Sequence, residues 1–110
     1  MLEGLSPSDR LLLLEFLCAF AWTDLEVTEN ERRFVRRILA LANLGPDDTR
    51  QVEAWLDVAP PPADTDPSRV PPQHRQVFLD AVRAMVYADG NVDVEERASL
   101  ERLRAALTGP

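Results

Sequence analysis

The sequence predicts an all-α protein, a single bundle of about five helices built from two duplicated halves, each reading helix, acidic loop, helix. Apolar residues recur at helical spacing, and no stretch shows the alternating pattern of a strand. Residues 24–32 (DLEVTENER) match residues 89–97 (DGNVDVEER) in Asp, Val, Glu and Arg, 65 positions apart. A chain of 110 residues has room for one core. We therefore expect residues 1–110 to form one domain with internal repeats 8–45 and 73–108.

The first helix is predicted to begin at Ser6 and Pro7, a capping serine followed by a proline at the first helical position. An apolar run follows from Leu11 to Trp22, broken only by Glu15. The run is too short for a membrane span, which takes about 20 apolar residues, and the acid inside it argues against a signal peptide. We expect a helix that is central in the fold or covers a partner, in a cytoplasmic protein.

The second helix is predicted to begin at Thr28, because Glu31 follows at the spacing of a capping box, and to stop at Gly45. Its predicted inward positions are Phe34, Val35, Ile38, Leu41 and Ala42. The opposite face carries Arg32, Arg33, Arg36 and Arg37. An arginine face could dock an acidic peptide, but Glu29 is within reach of two of these arginines, which favours a solvated face.

A third helix is predicted from Asp47 or Asp48 to Val58, with its apolar side formed by Val52, Trp55 and Leu56. Residues 59–72 hold six of the nine prolines and predict a stiff connector with at most one turn, around residues 66–70. The fourth helix is predicted over 73–88, burying Val77, Phe78, Ala81, Val82 and Met85. The fifth is predicted to begin at Asp93, before Glu96, and to bury Leu100, Leu103 and Leu107.

The composition narrows the classes of partner and chemistry. The net charge of -7 argues against nucleic acid and anionic membranes, which need a basic surface. The single cysteine, Cys18, rules out an intramolecular disulfide, fits a reducing compartment and lies in an apolar run, which predicts a buried, inert thiol. The single histidine, His74, is expected at the surface and cannot supply the usual zinc ligand set.

The paired acidic loops are the candidate site. Capping explains Thr28, Glu31, Asp93 and Glu96, but Asp24 and Asp89 are placed where helices end, on the unfavourable side of the macrodipole by about 0.3–1 kcal/mol. Either Asx-turns or a bound cation could offset that cost.

An EF-hand is excluded, although Asp89, Asn91 and Asp93 have the spacing of its first three ligands. Val94 replaces the required glycine, and Leu100 replaces the bidentate glutamate. If the two loops converge, the candidate metal ligands are Asp24, Glu31, Asp89 and Glu96, supported by Glu26, Asn91 and Asp93. Such a set suits Ca²⁺, Mg²⁺ or Mn²⁺ better than Zn²⁺. If they do not converge, each loop is a capped turn.

The chain resembles the TerB-like family. The resemblance rests on the pattern Asp-Gly-x-hydrophobic-x-x-x-Glu-Arg at residues 89–97, preceded by an apolar helix ending at 86–88, and on the second copy at 24–32, which has Leu25 in place of glycine. It covers roughly residues 11–107. It implies an all-helical bundle associated with bacterial stress responses, including tellurite resistance, whose acidic residues bind a divalent metal: here Asp24, Glu31, Asp89 and Glu96.

Two functions follow as expectations. The first is a non-enzymatic, cytoplasmic TerB-like module that binds a divalent cation, with no organic cofactor. The second is a helical protein-interaction or dimerisation module whose acidic loops only cap helices. An enzyme is not expected, because the sequence has neither a Cys/His pairing nor a glycine-rich phosphate loop.

Overall fold

The computed structural model describes residues 2, 4–23, 26–61, 66–88 and 94–108, and of residues 95, 96 and 108 only the backbone. Over these ranges the protein is all-helical, which confirms the predicted class, and no strand occurs in them. The described ranges form five α-helices: α1 Pro7–Ala21, α2 Glu29–Ala42, α3 Pro46–Asp57, α4 Arg75–Val86 and α5 Val94–Thr108. Two 3₁₀ turns, Pro67–Arg69 and Pro72–His74, precede α4.

Helix α1 occupies the centre of the molecule and packs against α2, α3 and α4. Its start matches the prediction, since the Ser6 hydroxyl accepts a hydrogen bond from the Asp9 amide at 3.1 Å. Leu13, Leu14 and Leu17 are completely buried. The expectation of a core helix is confirmed, and across the described part of the chain no helix has the length and apolarity to cross a membrane.

Helix α2 begins with the predicted capping box. The Thr28 hydroxyl accepts from the Glu31 amide at 3.1 Å, and Glu31 Oε1 accepts from the Thr28 amide at 2.8 Å. Its predicted stop at Gly45 is wrong: the helix ends at Ala42, and Asn43 takes the left-handed conformation with φ 52°. Asparagine tolerates that conformation better than most residues.

The buried stripe of α2 follows the i, i+3, i+4, i+7 spacing of Val35, Ile38, Leu39 and Ala42. Leu41 was predicted to point inward, but it lies off this stripe and is 63% exposed. Leu39 takes its place in the core. Helix propensity and apolar character alone do not separate the two leucines, because the orientation of α2 is set by its packing against α1, α3 and α4.

Helix α3 begins at Pro46, slightly earlier than predicted, and buries Val52 and Leu56 completely. It is tied to the end of α1, because the Trp22 indole N–H donates to the Trp55 carbonyl at 2.8 Å. The connector contains the predicted turn at 67–69 and then buries Val70.

Helices α4 and α5 pack against each other, and α5 also contacts the 67–69 turn. Helix α4 is shorter than predicted, because residues 72–74 form a 3₁₀ turn before it. Phe78 is completely buried and meets Phe16 of α1 edge to face, with ring centroids 5.6 Å apart. Leu100 and Leu107 of α5 are buried as predicted.

Candidate functional site

The two acidic loops fall largely beyond what the structure describes. Glu26 and Glu31 are the predicted ligands whose side chains are described. Outside the described residues lie Asp24, Asp89, Asn91, Asp93 and the side chain of Glu96. The predicted helix cap at Asp93 lies outside them as well.

The end of the first loop is firmly held. Val27 is buried, whereas its neighbour Glu26 is exposed. Glu31 is only 5% exposed, and its carboxylate faces back toward the loop because it accepts from the Thr28 amide. The capping role predicted for Glu31 is therefore confirmed.

The start of the second loop lies beside the first turns of α2. Helix α4 ends with hydrogen bonds from the Tyr87 and Ala88 amides to carbonyls of the preceding turn, at 3.0 and 3.2 Å. Ala88 then lines a hollow of about 300 Å³ together with Asn30, Arg33, Phe34 and Arg37 of α2. Residue 89 follows Ala88 directly, and the first loop leads directly into α2.

The same hollow carries basic side chains, whose positive charge would repel a cation bound nearby. Arg33 lies 3.8 Å from the Glu29 carboxylate. Arg37 is exposed, and no carboxylate contacts it among the described residues. In the same ranges, no group of three or more His, Cys, Asp or Glu side chains is arranged to hold a metal ion.

Two arginines of the α2 face pair with α3, whereas Arg33 pairs with Glu29 of its own helix. Arg36 contacts both carboxylate oxygens of Glu53, at 3.2 and 3.4 Å, and this hydrogen bond and charge raise the pKa of Arg36. Arg32 lies 3.6 Å from Asp57. Sequence spacing suggested Glu29 as the partner of two arginines, because it shows only neighbours within one helix.

An apolar groove of about 410 Å³ lies between α1, α5 and the 67–69 turn. The residues that line it are Phe16, Ala19, Phe20, Thr23, Pro67, Ser99, Arg102, Leu103 and Ala106. The sequence did not locate this groove, but it gave one signal: α1 is apolar on nearly every side, so part of its surface remains uncovered after the core is packed.

The two residues considered for nucleophilic or zinc chemistry are engaged in the fold. Cys18 is buried as predicted, and burial, with the Glu15 and Glu53 charges, raises its pKa to about 12. His74 was predicted at the surface, but its side chain is 14% exposed and its Nε2 lies 3.5 Å from Asp9 Oδ2. The connector fold causes this difference, since it places residue 74 against the first turn of α1.

A second charged contact fixes the connector to α1. The Glu15 side chain is 8% exposed, and its Oε1 lies 3.7 Å from Arg69 Nη1 in the 67–69 turn. Because a buried carboxylate requires compensation, this contact links the position of the turn to the core helix. The turn in turn forms one side of the apolar groove.

Comparison of this chain with protein-family models, with curated proteins and with solved structures finds no match in any of the three. The TerB-like resemblance therefore remains a prediction from the motif residues at 24–32 and 89–97.

Proposed function

We propose that this chain is a non-enzymatic helical module of the TerB-like type, built from two duplicated halves, whose paired acidic loops bind one divalent cation. The proposed ligands are Asp24, Glu31, Asp89 and Glu96. Glu26, Asn91 and Asp93 are proposed as secondary ligands. The resemblance implies a role in a bacterial stress response, and the sequence pattern of the first helix favours a cytoplasmic protein.

The observation that carries the proposal is the position of Ala88. It shares a hollow with Asn30 and Arg33, in the first turns of α2, so the second loop starts next to the helix that the first loop enters. This proximity is what a site shared between the loops requires.

Charge gives a physical reason for a cation there. Residues 24–31 and 89–96 contain eight carboxylates, whereas two arginines, Arg33 and Arg37, line the adjoining hollow. Carboxylates held close together repel one another, and a hard divalent cation relieves that repulsion while it takes oxygen ligands. An all-oxygen set favours Ca²⁺, Mg²⁺ or Mn²⁺.

The protonated, buried thiol of Cys18 supports the proposal that the protein is not an enzyme. A thiol whose pKa is raised to about 12 remains protonated at neutral pH and is a poor nucleophile. His74, which could act as a base, lies against Asp9 on a different part of α1.

Isothermal titration with Ca²⁺, Mg²⁺, Mn²⁺ and Zn²⁺ tests the proposal. We expect binding of at least one of the first three ions, its loss in the double variant Asp24→Asn/Asp89→Asn, and its retention in Asp80→Asn, an exposed acid on α4. Absence of both heat and thermal stabilisation with every ion would refute cation binding.

A second candidate function is a helical interaction module whose acidic loops only cap helices. Two observations favour it: the capping box accounts for Glu31, and an apolar groove runs beside α1. Sedimentation equilibrium tests the dimeric form of this candidate, and a strictly monomeric protein that binds no helical partner would refute it.

A further inference from the structure

The apolar groove is formed by two helices that each have their main contacts elsewhere. Helix α5 packs against α4 and the 67–69 turn, and α1 packs against α2, α3 and α4. Their facing sides contribute Phe16, Ala19 and Phe20 from α1, and Leu103 and Ala106 from α5. A groove of this shape, walled by two helices, suits a third helix that inserts an apolar ridge.

Among the described residues that line the groove, one is charged, and it is the basic residue Arg102, although the chain as a whole is acidic. No carboxylate is present among the described residues that line it. Arg102 donates to the Ser99 hydroxyl at 3.0 Å, and no acid pairs with it within the described ranges. Its neighbour along α5, Arg104, lies 2.9 Å from Glu101. Within the described part of the chain, Arg102 therefore presents a charge that no carboxylate neutralises, beside an apolar surface, on a protein of net charge -7.

The charge of Arg102 favours some possible occupants of the groove over others. In a twofold dimer formed through the groove, the same patch meets itself, so each Arg102 would face a surface whose described lining residues include no acid. A partner that carries its own carboxylate at the edge of an apolar ridge gains a charge-assisted hydrogen bond instead.

We infer that the groove between α1 and α5 binds an amphipathic helix of another protein, which inserts its apolar ridge between Phe20 and Leu103 and places an acidic side chain against Arg102. The inference rests on the second candidate function, an interaction module, and it is independent of cation binding.

A display library of helical peptides provides the probe, with leucine fixed at positions i, i+3, i+4 and i+7 and the remaining positions randomised. Selection on the wild-type protein is expected to enrich peptides with Asp or Glu along one flank of the ridge. Fluorescence anisotropy then gives the affinity of each enriched peptide for the wild type and for Arg102→Glu, Ala106→Trp and Arg83→Glu.

We expect Arg102→Glu to weaken binding roughly tenfold and a Glu→Lys change in the peptide to restore it, because the pair is then reversed. Ala106→Trp, which fills the groove, should abolish binding. Arg83→Glu is the matched control, since Arg83 is an exposed arginine of α4 outside the groove, and it should leave the affinity unchanged. Equal helical circular dichroism of all variants shows that they are folded.

Four outcomes would overturn the inference. Enriched peptides that bind Arg102→Glu as well as the wild type would remove the role of the charge. If the peptides bind Ala106→Trp as well as the wild type, they bind outside the groove. The protein would then be an interaction module that does not use this groove. A dimer dissociated by Ala106→Trp would make a second copy the occupant. No enrichment, together with a monomeric protein, removes the inference and the second candidate function at once.

Discussion

Glu31 allows helix capping and cation binding to be tested separately, because glutamine keeps the first role and loses the charge needed for the second. In Glu31→Gln the amide oxygen replaces the carboxylate oxygen that accepts from the Thr28 amide at 2.8 Å. Thr28→Ala is the complementary change. It removes the hydroxyl that accepts from the Glu31 amide and leaves the carboxylate in place.

The expected effects on stability follow from these contacts. Loss of the Thr28 cap should cost about 1 kcal/mol, and loss of the Glu31 charge at the helix start about 0.3–1 kcal/mol. An unfolding entropy of about 2.1 cal/mol/K per residue gives about 0.23 kcal/mol/K for 110 residues. Thr28→Ala should therefore lower Tm by about 4 °C, and Glu31→Gln by about 1–4 °C.

A bound cation should change the Tm of the two variants by different amounts. At a free concentration of 100 times Kd, binding stabilises the folded state by about 2.7 kcal/mol, which corresponds to a rise in Tm of about 12 °C. If Glu31 is a ligand and its charge is worth roughly tenfold in affinity, the rise in Glu31→Gln falls to about 6 °C. Thr28→Ala should retain the full rise, because its carboxylates are intact.

Circular dichroism melts of the wild type and both variants, each with and without the ion found by titration, give these shifts. An equal ion-induced rise in Glu31→Gln and in the wild type would remove Glu31 from the ligand set and leave it as a helix cap. An unchanged Tm for Thr28→Ala without ion would show that the capping box contributes much less than its geometry indicates.

Three further predictions concern the core. Leu17→Ala should lower the free energy of unfolding by about 2–5 kcal/mol, whereas Leu41→Ala, at a side chain that is 63% exposed, should cost less than about 0.5 kcal/mol; similar losses in urea titrations would contradict their placement. Burial raises the pKa of Cys18 from 9.0 to about 12, so the folded thiol should resist Ellman's reagent at pH 8. The unfolded chain loses this proton first, so stability should fall as pH rises from about 9 toward 12, a slope that Cys18→Ala should lack. Arg69→Ala removes a charge 3.7 Å from buried Glu15 and should cost about 1–2 kcal/mol, discounted because Arg69 is half exposed; a loss near zero in urea titrations would show that the contact contributes nothing.

The local features of the fold could be predicted because their causes lie within a few residues. The Ser6 cap and the Thr28–Glu31 capping box depend on side chains three positions apart, and both formed as predicted. To predict where α2 ends, the effect of Pro46 on the preceding residue must also be considered. Gly45 precedes Pro46, and a residue before proline is driven to extended backbone, as its ψ of 170° shows. Gly45 is thus the N-cap residue before α3, and Asn43 is the C-cap residue of α2.

The features that depend on tertiary packing could not be read from spacing. Leu39, four positions after Val35, and Leu41, three positions after Ile38, both fit a helical spacing, and the packing of α2 buries Leu39 and leaves Leu41 exposed. The contact between Glu15 and Arg69 spans 54 positions, and it arises because the proline-rich connector returns across α1. The groove beside Phe20 has the same origin, since it is the part of α1 left uncovered once its other neighbours are packed.

The arginines of the hollow at Ala88 offer a second way to neutralise the charge of the acidic loops. Arg33 and Arg37 line the hollow next to Ala88, so under the proposal the loop carboxylates have two possible counter-charges: a divalent cation or these guanidinium groups. Coulomb's law gives about 0.4 kcal/mol for two unit charges 10 Å apart in water, and twice that for a divalent ion. If the loops bind a cation, Arg37→Gln should strengthen its binding a few-fold. If the arginines themselves neutralise the loops, the same change should lower stability and confer no affinity for any ion. One substitution, measured by titration and by melting, therefore distinguishes a cation site from a pair of loops whose charge is balanced within the fold.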